Sequence, residues 1–279
     1  MLLGMKNGFF VLLFLSIAPS LKSQTYEQWI DYSYRYVEAN RLDSAEWALK
    51  NAMKNSPDNP MNAYLFHNLG TIQRRQNHHE EALQSYSLAL RRYPKNSVFL
   101  SDRASLFAEM NNFQNALLDY NTLLEEAPDH EEALYQRGLL YLEMKDFERS
   151  EQDFGKMMEL NPQSLFARLG FASLYKIEGR YPDAEKIYNY LEEKEPQQPA
   201  VFAGRAELFL LINKGSKALN DINHAIRLSD PTENPYFYII RSRAKLLLRE
   251  KIAAAEDIKK AIALGYDATV AEELLKLTY

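Results

Sequence analysis

Residues 131–164, EEALYQRGLLYLEMKDFERSEQDFGKMMELNPQS, contain the pattern that decides the fold. Pro162 lies near the end of this stretch, with the small residue Ser150 twelve positions before it and the aromatic Phe154 eight positions before it. The same combination recurs at intervals of 34 residues, with prolines at Pro94, Pro128 and Pro196. A fixed interval of this length is typical of a repeat architecture, in which one supersecondary unit stacks on the next.

The pattern continues over most of the chain. It fits Ala45, Leu49 and Pro57 on the N-terminal side, and Ala218, Ile222 and Ala225 on the C-terminal side. We therefore place seven units at 26–59, 63–96, 97–130, 131–164, 165–198, 199–232 and 235–268. Pro60 to Asn62, and Glu233 with Asn234, are predicted linkers. Residues 269–277 (TVAEELLKL) are apolar at helical spacing and are predicted to form a capping helix over the last unit.

A helix–turn–helix period of 34 residues with this pattern resembles the tetratricopeptide repeat family. Positions 4, 7, 8 and 11 of the family's first helix appear in the fourth unit as Leu134, Arg137, Gly138 and Tyr141. The resemblance covers nearly all of residues 24–279, and seven units in phase are a far more specific match than one. It implies an all-α fold: an α-solenoid forming a right-handed superhelix, whose concave face or ends hold other proteins.

Two side chains occur together or not at all within a unit. Position 7 is arginine and position 23 is aspartate in the same four units, whereas neither occurs in the other three. Because a partly buried arginine needs a partner, we predict an ion pair between the two helices of each such unit. The alternative is a row of arginines that binds an anionic ligand. The predicted pairs are Arg103 with Asp119, Arg137 with Asp153, Arg205 with Asp221, and Arg241 with Asp257.

Residues 1–23 have the layout of a secretory signal peptide. Lys6 supplies a short positive region, the apolar run 9–18 (FFVLLFLSIA) follows, and Pro19 and the small Ser23 precede a predicted mature start at Gln24. The run is shorter than the roughly 20 apolar residues that a transmembrane helix needs. We therefore expect export to the periplasm or the cell exterior. An uncleaved N-terminal anchor remains the alternative, and membrane contact is expected only in that case.

The composition contains little that points to catalysis. The chain has no cysteine and five histidines, and it shows no HExxH, P-loop, G-x-G-x-x-G or G-x-S-x-G motif. The stretches His78–Glu81 and Asp129–Glu132 fall where helices are predicted to begin, so we interpret them as solvated helix starts and not as metal ligands. A net charge of −5 argues against nucleic-acid binding. We expect no enzyme, no cofactor and no metal.

The resemblance also indicates which side chains face a groove. In the family, positions 2, 5, 9 and 12 of the first helix usually line the concave side, and here they mix aromatic and aliphatic side chains with sparse charge. No unit carries the lysine, asparagine and arginine set with which some family members grip a C-terminal carboxylate. The candidate partner-binding residues are Tyr34, Tyr64, His67, Arg74, Tyr135, Phe166, Leu169, Lys176 and Tyr236. The alternative for the aromatics is contact with the neighbouring unit or with a C-terminal helix folded back.

These features favour a non-catalytic interaction scaffold in the cell envelope that binds a protein or a peptide on the concave face. A glycan or cell-wall fragment binder is a second hypothesis, although few amide side chains accompany the groove tyrosines. A membrane-tethered assembly factor is a third, and it requires an uncut N-terminal segment. The Gln24 start and the many Tyr, Asn and Lys residues resemble exported proteins of Bacteroidetes. The partner and the oligomeric state are left open.

Overall fold

The computed structural model describes residues 24–229 and 234–278. Within these ranges the chain forms fifteen α-helices and no strand, joined by short turns. The chain divides into two units, one ending at Arg92 and the other beginning at Tyr93. The all-α architecture of helix–turn–helix repeats expected from the sequence is confirmed.

The first unit contains two helical hairpins. Helices α1 (Tyr26–Glu38) and α2 (Leu42–Asn55) form one hairpin, and α3 (Asn62–Arg75) and α4 (His79–Arg92) form the other. The apolar sides of α1, α2 and α3 meet in a core that includes Leu49 and Leu69. This packing explains why one hairpin does not suffice, since α2 buries its apolar face partly against the next repeat.

Asn62 belongs to α3 and not to the linker that we predicted at Pro60 to Asn62. Its amide nitrogen donates to the carbonyl oxygens of Ser56 (2.8 Å) and Pro57 (3.0 Å), and its side-chain oxygen accepts from the Tyr26 hydroxyl at 3.1 Å. The side chain is buried. A buried polar group needs such partners, so the turn between the first two repeats is held by one asparagine.

The second unit contains five further hairpins and a final helix. The hairpins pair α5 (Ser97–Glu109) with α6 (Phe113–Glu126), α7 (Glu131–Glu143) with α8 (Phe147–Leu160), α9 (Leu165–Ile177) with α10 (Tyr181–Lys194), α11 (Pro199–Leu211) with α12 (Gly215–Leu228), and α13 (Pro235–Leu247) with α14 (Lys251–Ala263). Helix α15 (Ala268–Lys276) begins one residue before the predicted capping helix. It packs on α14 and contributes Ala271 to the last apolar cluster.

Each hairpin turn contains a residue in the left-handed conformation at position 15 of its repeat. Asparagine occupies this position four times, at Asn40, Asn77, Asn111 and Asn213, and glycine once, at Gly179. Lys145 and Arg249 occupy the other two with φ of 60° and 62°. Asparagine and glycine tolerate positive φ, whereas a lysine or an arginine there costs about 1 kcal/mol or more. The turn chemistry therefore repeats along with the core.

The aromatic at position 24 fills the space between helices of adjacent repeats. Phe154 is fully buried. A Cβ atom added to Gly138 of the same repeat, or to Gly170 of the next, would lie 2.5 Å from this ring. The two glycines therefore permit the close approach of α7, α8 and α9, because any larger side chain meets the phenylalanine.

The predicted signal segment 1–23 and the linker residue Glu233 lie outside the described residues. Among the residues that the structure does describe, no helix combines the length and apolarity needed to cross a membrane.

Candidate partner-binding face

The first helices of successive repeats in the second unit lie side by side. Helix α7 contacts α5 and α9, and α11 contacts α9 and α13. We call the surface formed by α5, α7, α9, α11 and α13 the first-helix face. The predicted groove residues from Tyr135 onward belong to these helices, so this face is where a partner of the second unit is expected.

A cleft opens on the first-helix face between α7 and α9. It encloses about 470 Å³ and is lined by Glu131, Glu132, Tyr135, Gln136 and Phe166. The ring centroids of Tyr135 and Phe166 are 5.4 Å apart, and the ring planes are inclined at 53°. Phe166 is 53% exposed, which is high for so large an apolar side chain. Two predicted groove aromatics thus come together as walls of one cleft.

The Tyr135 side chain packs against a buried aromatic ring and also lines the cleft. Its ring lies 6.1 Å from the buried ring of Phe154 in α8. Burial raises the pKa of the Tyr135 hydroxyl. Phe154 lies on the second helix of the same repeat, so this contact differs from the alternative that we considered for the groove aromatics, which was contact with the neighbouring unit's second helix. The same contact holds Tyr135 in place for the cleft.

Further along the face, three successive repeats meet at one carboxylate. Lys176 Nζ lies 2.6 Å from Glu207 Oε2, and the Tyr236 hydroxyl donates to Glu207 Oε1 at 2.7 Å. Burial and the Glu207 charge raise the pKa of Tyr236. Lys176 and Tyr236 were predicted as partner-binding residues, but here each has an intramolecular partner. This part of the face holds repeats five, six and seven together.

Leu169 is only 8% exposed and packs in the core around α9 and α11. The structure therefore places it inside the repeat stack, which corrects our expectation that it lines the groove. Position 5 of this repeat is buried because α9 packs against α11 there.

The four groove candidates of the first unit differ in exposure. Tyr34 and Tyr64 are exposed, at 56% and 40%. His67 and Arg74 are half-buried, and the His67 ring centroid lies 5.5 Å from that of Tyr86. The tyrosines are thus the accessible members of this set.

Position 9 of the first helix was expected to face the groove. In the second and third repeats, however, its side chain contacts the hydroxyl of the buried tyrosine at position 24. Thr71 and Ser105 hydroxyls lie 3.2 and 3.0 Å from the hydroxyls of Tyr86 and Tyr120. The fourth repeat has Leu139 at position 9 and Phe154 at position 24, so both hydroxyls are missing together. The sequence therefore contains a signal for this contact, since the hydroxyls at these two positions are present or absent together in repeats two to four.

The structure brings together all four predicted arginine and aspartate pairs. In each, arginine Nε and Nη2 donate to the two carboxylate oxygens of the aspartate sixteen residues later. For Arg205 and Asp221 the two distances are 2.7 and 3.1 Å. Planar guanidinium and carboxylate groups form such paired bonds with high geometric specificity. The two helices of these repeats are therefore tied at mid-length.

A third partner comes from the preceding repeat. Arg137 Nη1 donates to Asn121 Oδ1 at 2.7 Å, and Arg205 Nη1 donates to Asn189 Oδ1 at 2.8 Å. Arg241 makes the equivalent bond to Asn223 at 3.3 Å. These asparagines all occupy position 25, and the repeat before Phe171 has Gly155 there instead. The arginine thus joins neighbouring repeats as well as paired helices, which sequence reasoning missed.

Burial and hydrogen bonding act in opposite directions on Arg205. Burial lowers its pKa, but the hydrogen bonds to Asp221 and Glu192 outweigh this and hold the pKa above the usual range. Nε, Nη1 and Nη2 all have protein acceptors. The arrangement suits a structural tie and leaves few donors for an anionic ligand.

The described ranges contain no group of three or more His, Cys, Asp or Glu side chains placed to hold a metal ion. His130, in one of the stretches that we interpreted as helix starts, caps α7 by accepting the Ala133 backbone N–H at its Nδ1.

Comparison with known proteins identifies the family. Tetratricopeptide repeat models match residues 33–97 and 101–164 in one case and 141–208 in another, which together span more than half of the chain. This chain belongs to the tetratricopeptide repeat family. Repeats of this family generally mediate protein–protein interaction and are generally non-catalytic. No curated protein matches the chain.

Three solved structures illustrate the likeness. A tetratricopeptide repeat protein from Parabacteroides merdae is 46% identical, with a TM-score of 0.79 over 92% of this chain and 99% of that one. Yeast Tom70 is 18% identical, with a TM-score of 0.71 over 95% of this chain and 58% of its own. PilW, described as a type IV pilus biogenesis factor, is 19% identical, with a TM-score of 0.56 over 77% of this chain and 96% of its own. The last two share the fold alone with this tetratricopeptide repeat protein.

Proposed function

We propose that this protein is an exported, non-catalytic scaffold of the cell envelope that binds a protein or peptide segment on the first-helix face of its second unit. The observation that carries this proposal is the cleft between α7 and α9, whose walls are Tyr135 and the half-exposed Phe166. Aromatic side chains in a partly desolvated cleft are typical anchors of protein interfaces. The family supports the general mode of action, and the exposed aromatic surface of the cleft supports our choice of site.

The face itself argues for one place over the others. Lys176 and Tyr236 are both bonded to Glu207, and the Ser105 hydroxyl lies 3.0 Å from the hydroxyl of the core residue Tyr120. The Tyr135 and Phe166 rings, by contrast, offer apolar surface to the cleft, and the bond at its rim is the one that Glu131 accepts from Ser164 at the start of α9. An incoming segment gains most where it displaces water from exposed ring surface and breaks no existing pair.

Export is supported by the N-terminal sequence alone. Lys6, the apolar run 9–18 and Pro19 match the layout of a signal peptide. Cleavage after Ser23 removes two lysines and no acidic residue, so the net charge changes from −5 to 31 − 38 = −7. Mass spectrometry of the protein purified from its native host tests this part, because a mature chain starting at Gln24 supports export and an intact N-terminus supports a membrane-tethered factor.

Affinity capture from envelope extract tests the binding face. The tagged full chain is compared with Phe166→Ser and with a control, Leu118→Ser, which removes an apolar side chain that is 62% exposed on the second helix α6. We expect one envelope protein to be retained by the parent and the control, and lost by Phe166→Ser. Equal retention by all three would move the site to another surface. Retention of no protein, with binding of a cell-wall fragment, would favour the glycan hypothesis.

A further inference from the structure

The cleft between α7 and α9 combines aromatic walls with an acidic rim. Glu131 and Glu132 lie in the first turn of α7, immediately beside Tyr135. Both are exposed. No lysine or arginine is among the residues that line the cleft. The negative charge of the rim is therefore not neutralised inside the cleft.

Three basic residues close to the cleft in sequence, Arg137, Lys156 and Arg168, have other partners. Lys156 pairs with Asp129 at 3.3 Å, and Arg137 pairs with Asp153. Arg168 donates to the Pro162 carbonyl oxygen, and its guanidinium lies over the Tyr190 ring at 4.4 Å. Glu131 accepts one hydrogen bond, from Ser164, through Oε1. Glu132 has no ion-pair partner among residues 24–229 and 234–278.

The position of these carboxylates at a helix start is favourable in itself, because the positive end of the helix dipole stabilises a nearby negative charge. This effect accounts for acidic residues in the first turn. It does not account for a cleft that these two glutamates line together with two aromatic rings. A cation, in contrast, is attracted both by carboxylates and by the faces of tyrosine and phenylalanine rings.

We propose that the cleft binds the side chain of a lysine or an arginine in the partner's docking segment. The aliphatic stem packs on the Tyr135 and Phe166 rings, as long basic side chains do on apolar surface, and the cationic end lies between the rings and the two glutamates. The volume of about 470 Å³ lies in the range of small-ligand pockets, so it accommodates one such side chain with part of its backbone.

The overall charge of the protein acts in the same direction. A net charge of −5 favours the approach of a basic segment and disfavours an acidic one. This preference differs from the carboxylate-gripping arrangement, for which no repeat carries the full set of side chains. The inference rests on the proposed function, since it names the chemistry of the segment that this same face binds.

Two matched peptides test the inference. One is acetyl-Ala-Lys-Leu-amide, and the other carries norleucine in place of lysine, which keeps the aliphatic stem and removes the charge. Each is titrated into the full chain labelled at position 166 with para-fluorophenylalanine, and the fluorine resonance reports occupancy of the cleft. Circular dichroism of each variant shows whether the helices remain folded.

We expect a saturable shift with the lysine peptide, a dissociation constant about tenfold weaker for the norleucine peptide, and weaker lysine binding at higher ionic strength. Glu132→Gln should weaken lysine binding several-fold. The control Glu193→Gln removes an exposed carboxylate on α10 and should leave binding unchanged. Equal shifts with both peptides, or no shift with the lysine peptide, would overturn the inference.

Failure of the inference and failure of the proposed function are distinguishable. If a partner is captured through Phe166 but the protein binds the lysine and norleucine peptides equally, the proposed binding face stands and the cationic preference is wrong. If no partner depends on Phe166, the proposed function itself fails, whatever the peptides show.

Discussion

The buried ion pair between Arg205 and Asp221 gives the sharpest prediction about the stability of the protein. Its side chains are 8% and 5% exposed, which makes it the most buried of the four pairs. Arg205→Leu leaves a buried aspartate without its cation, and breaking a buried pair in this way costs about 3–5 kcal/mol. Since about 1 kcal/mol corresponds to about 2–4 °C in a protein of this size, we expect the melting temperature to fall by roughly 6–20 °C.

The fifth repeat of the same chain suggests a double variant that should recover the lost stability. Its fifth repeat has Phe171 and Ile187 at the positions of the pair, and it forms the same hairpin without any charge there. The double variant Arg205→Phe with Asp221→Ile copies that repeat. Because it removes both buried charges, we expect most of the lost stability to return, in line with buried pairs that tolerate apolar replacement.

Thermal unfolding followed by circular dichroism measures both variants, with Arg227→Leu on the exposed side of α12 as the control. The control should change the free energy of unfolding by no more than about 0.5 kcal/mol. A single variant that melts within 2 °C of the parent, or a double variant that melts as low as the single one, would refute the reasoning.

Three further predictions concern packing, turns and pH. Gly138→Ala should lower the free energy of unfolding by about 1–3 kcal/mol, because the new Cβ atom would lie 2.5 Å from the Phe154 ring. In the control Gly155→Ala the new Cβ atom meets no atom within 4 Å, so this substitution should stabilise α8 by about 0.5–1 kcal/mol. Lys145→Gly should stabilise by about 1 kcal/mol, since φ is 60° there, and urea unfolding of both series measures these effects. The pKa of Tyr236 is raised above its ordinary value of 10.0, so its contribution to stability is present below pH 10 and is lost as the pH rises through the folded-state value. As the pH is raised above 10, the melting temperature of Tyr236→Phe should fall less steeply than that of the parent. Identical slopes would contradict the bond to Glu207.

The repeat pattern predicted the helical hairpins because the physics behind it is local. Small residues, a buried aromatic and a proline recur at fixed spacing, and each acts within one hairpin or between immediate neighbours. The pairing of Arg137 with Asp153 was also predictable, since the two residues are present or absent together within a repeat. The repeats of one chain can be compared with one another as homologous proteins are, so two positions that vary together among the repeats indicate a contact.

What the sequence did not predict depends on how neighbouring repeats stack. The bond from Arg137 to Asn121 crosses a repeat boundary, and its sequence signal at position 25 becomes meaningful only once the stacking register is known. Leu169 occupies a position expected to be exposed, but the packing of α9 against α11 buries it. Lys176 likewise appeared free to bind a partner until its contact with Glu207 was visible.

Crosslinking in the native host tests the central claim most directly. A photoreactive phenylalanine analogue is placed at position 166 in the cleft, and at position 118 on α6 as the control, in the full chain at its natural level. We predict a protein adduct from position 166 that is absent from position 118, with the crosslinked partner peptide containing a lysine or an arginine beside the attachment point. Adducts from position 118 alone, or none from position 166, would contradict binding on the first-helix face.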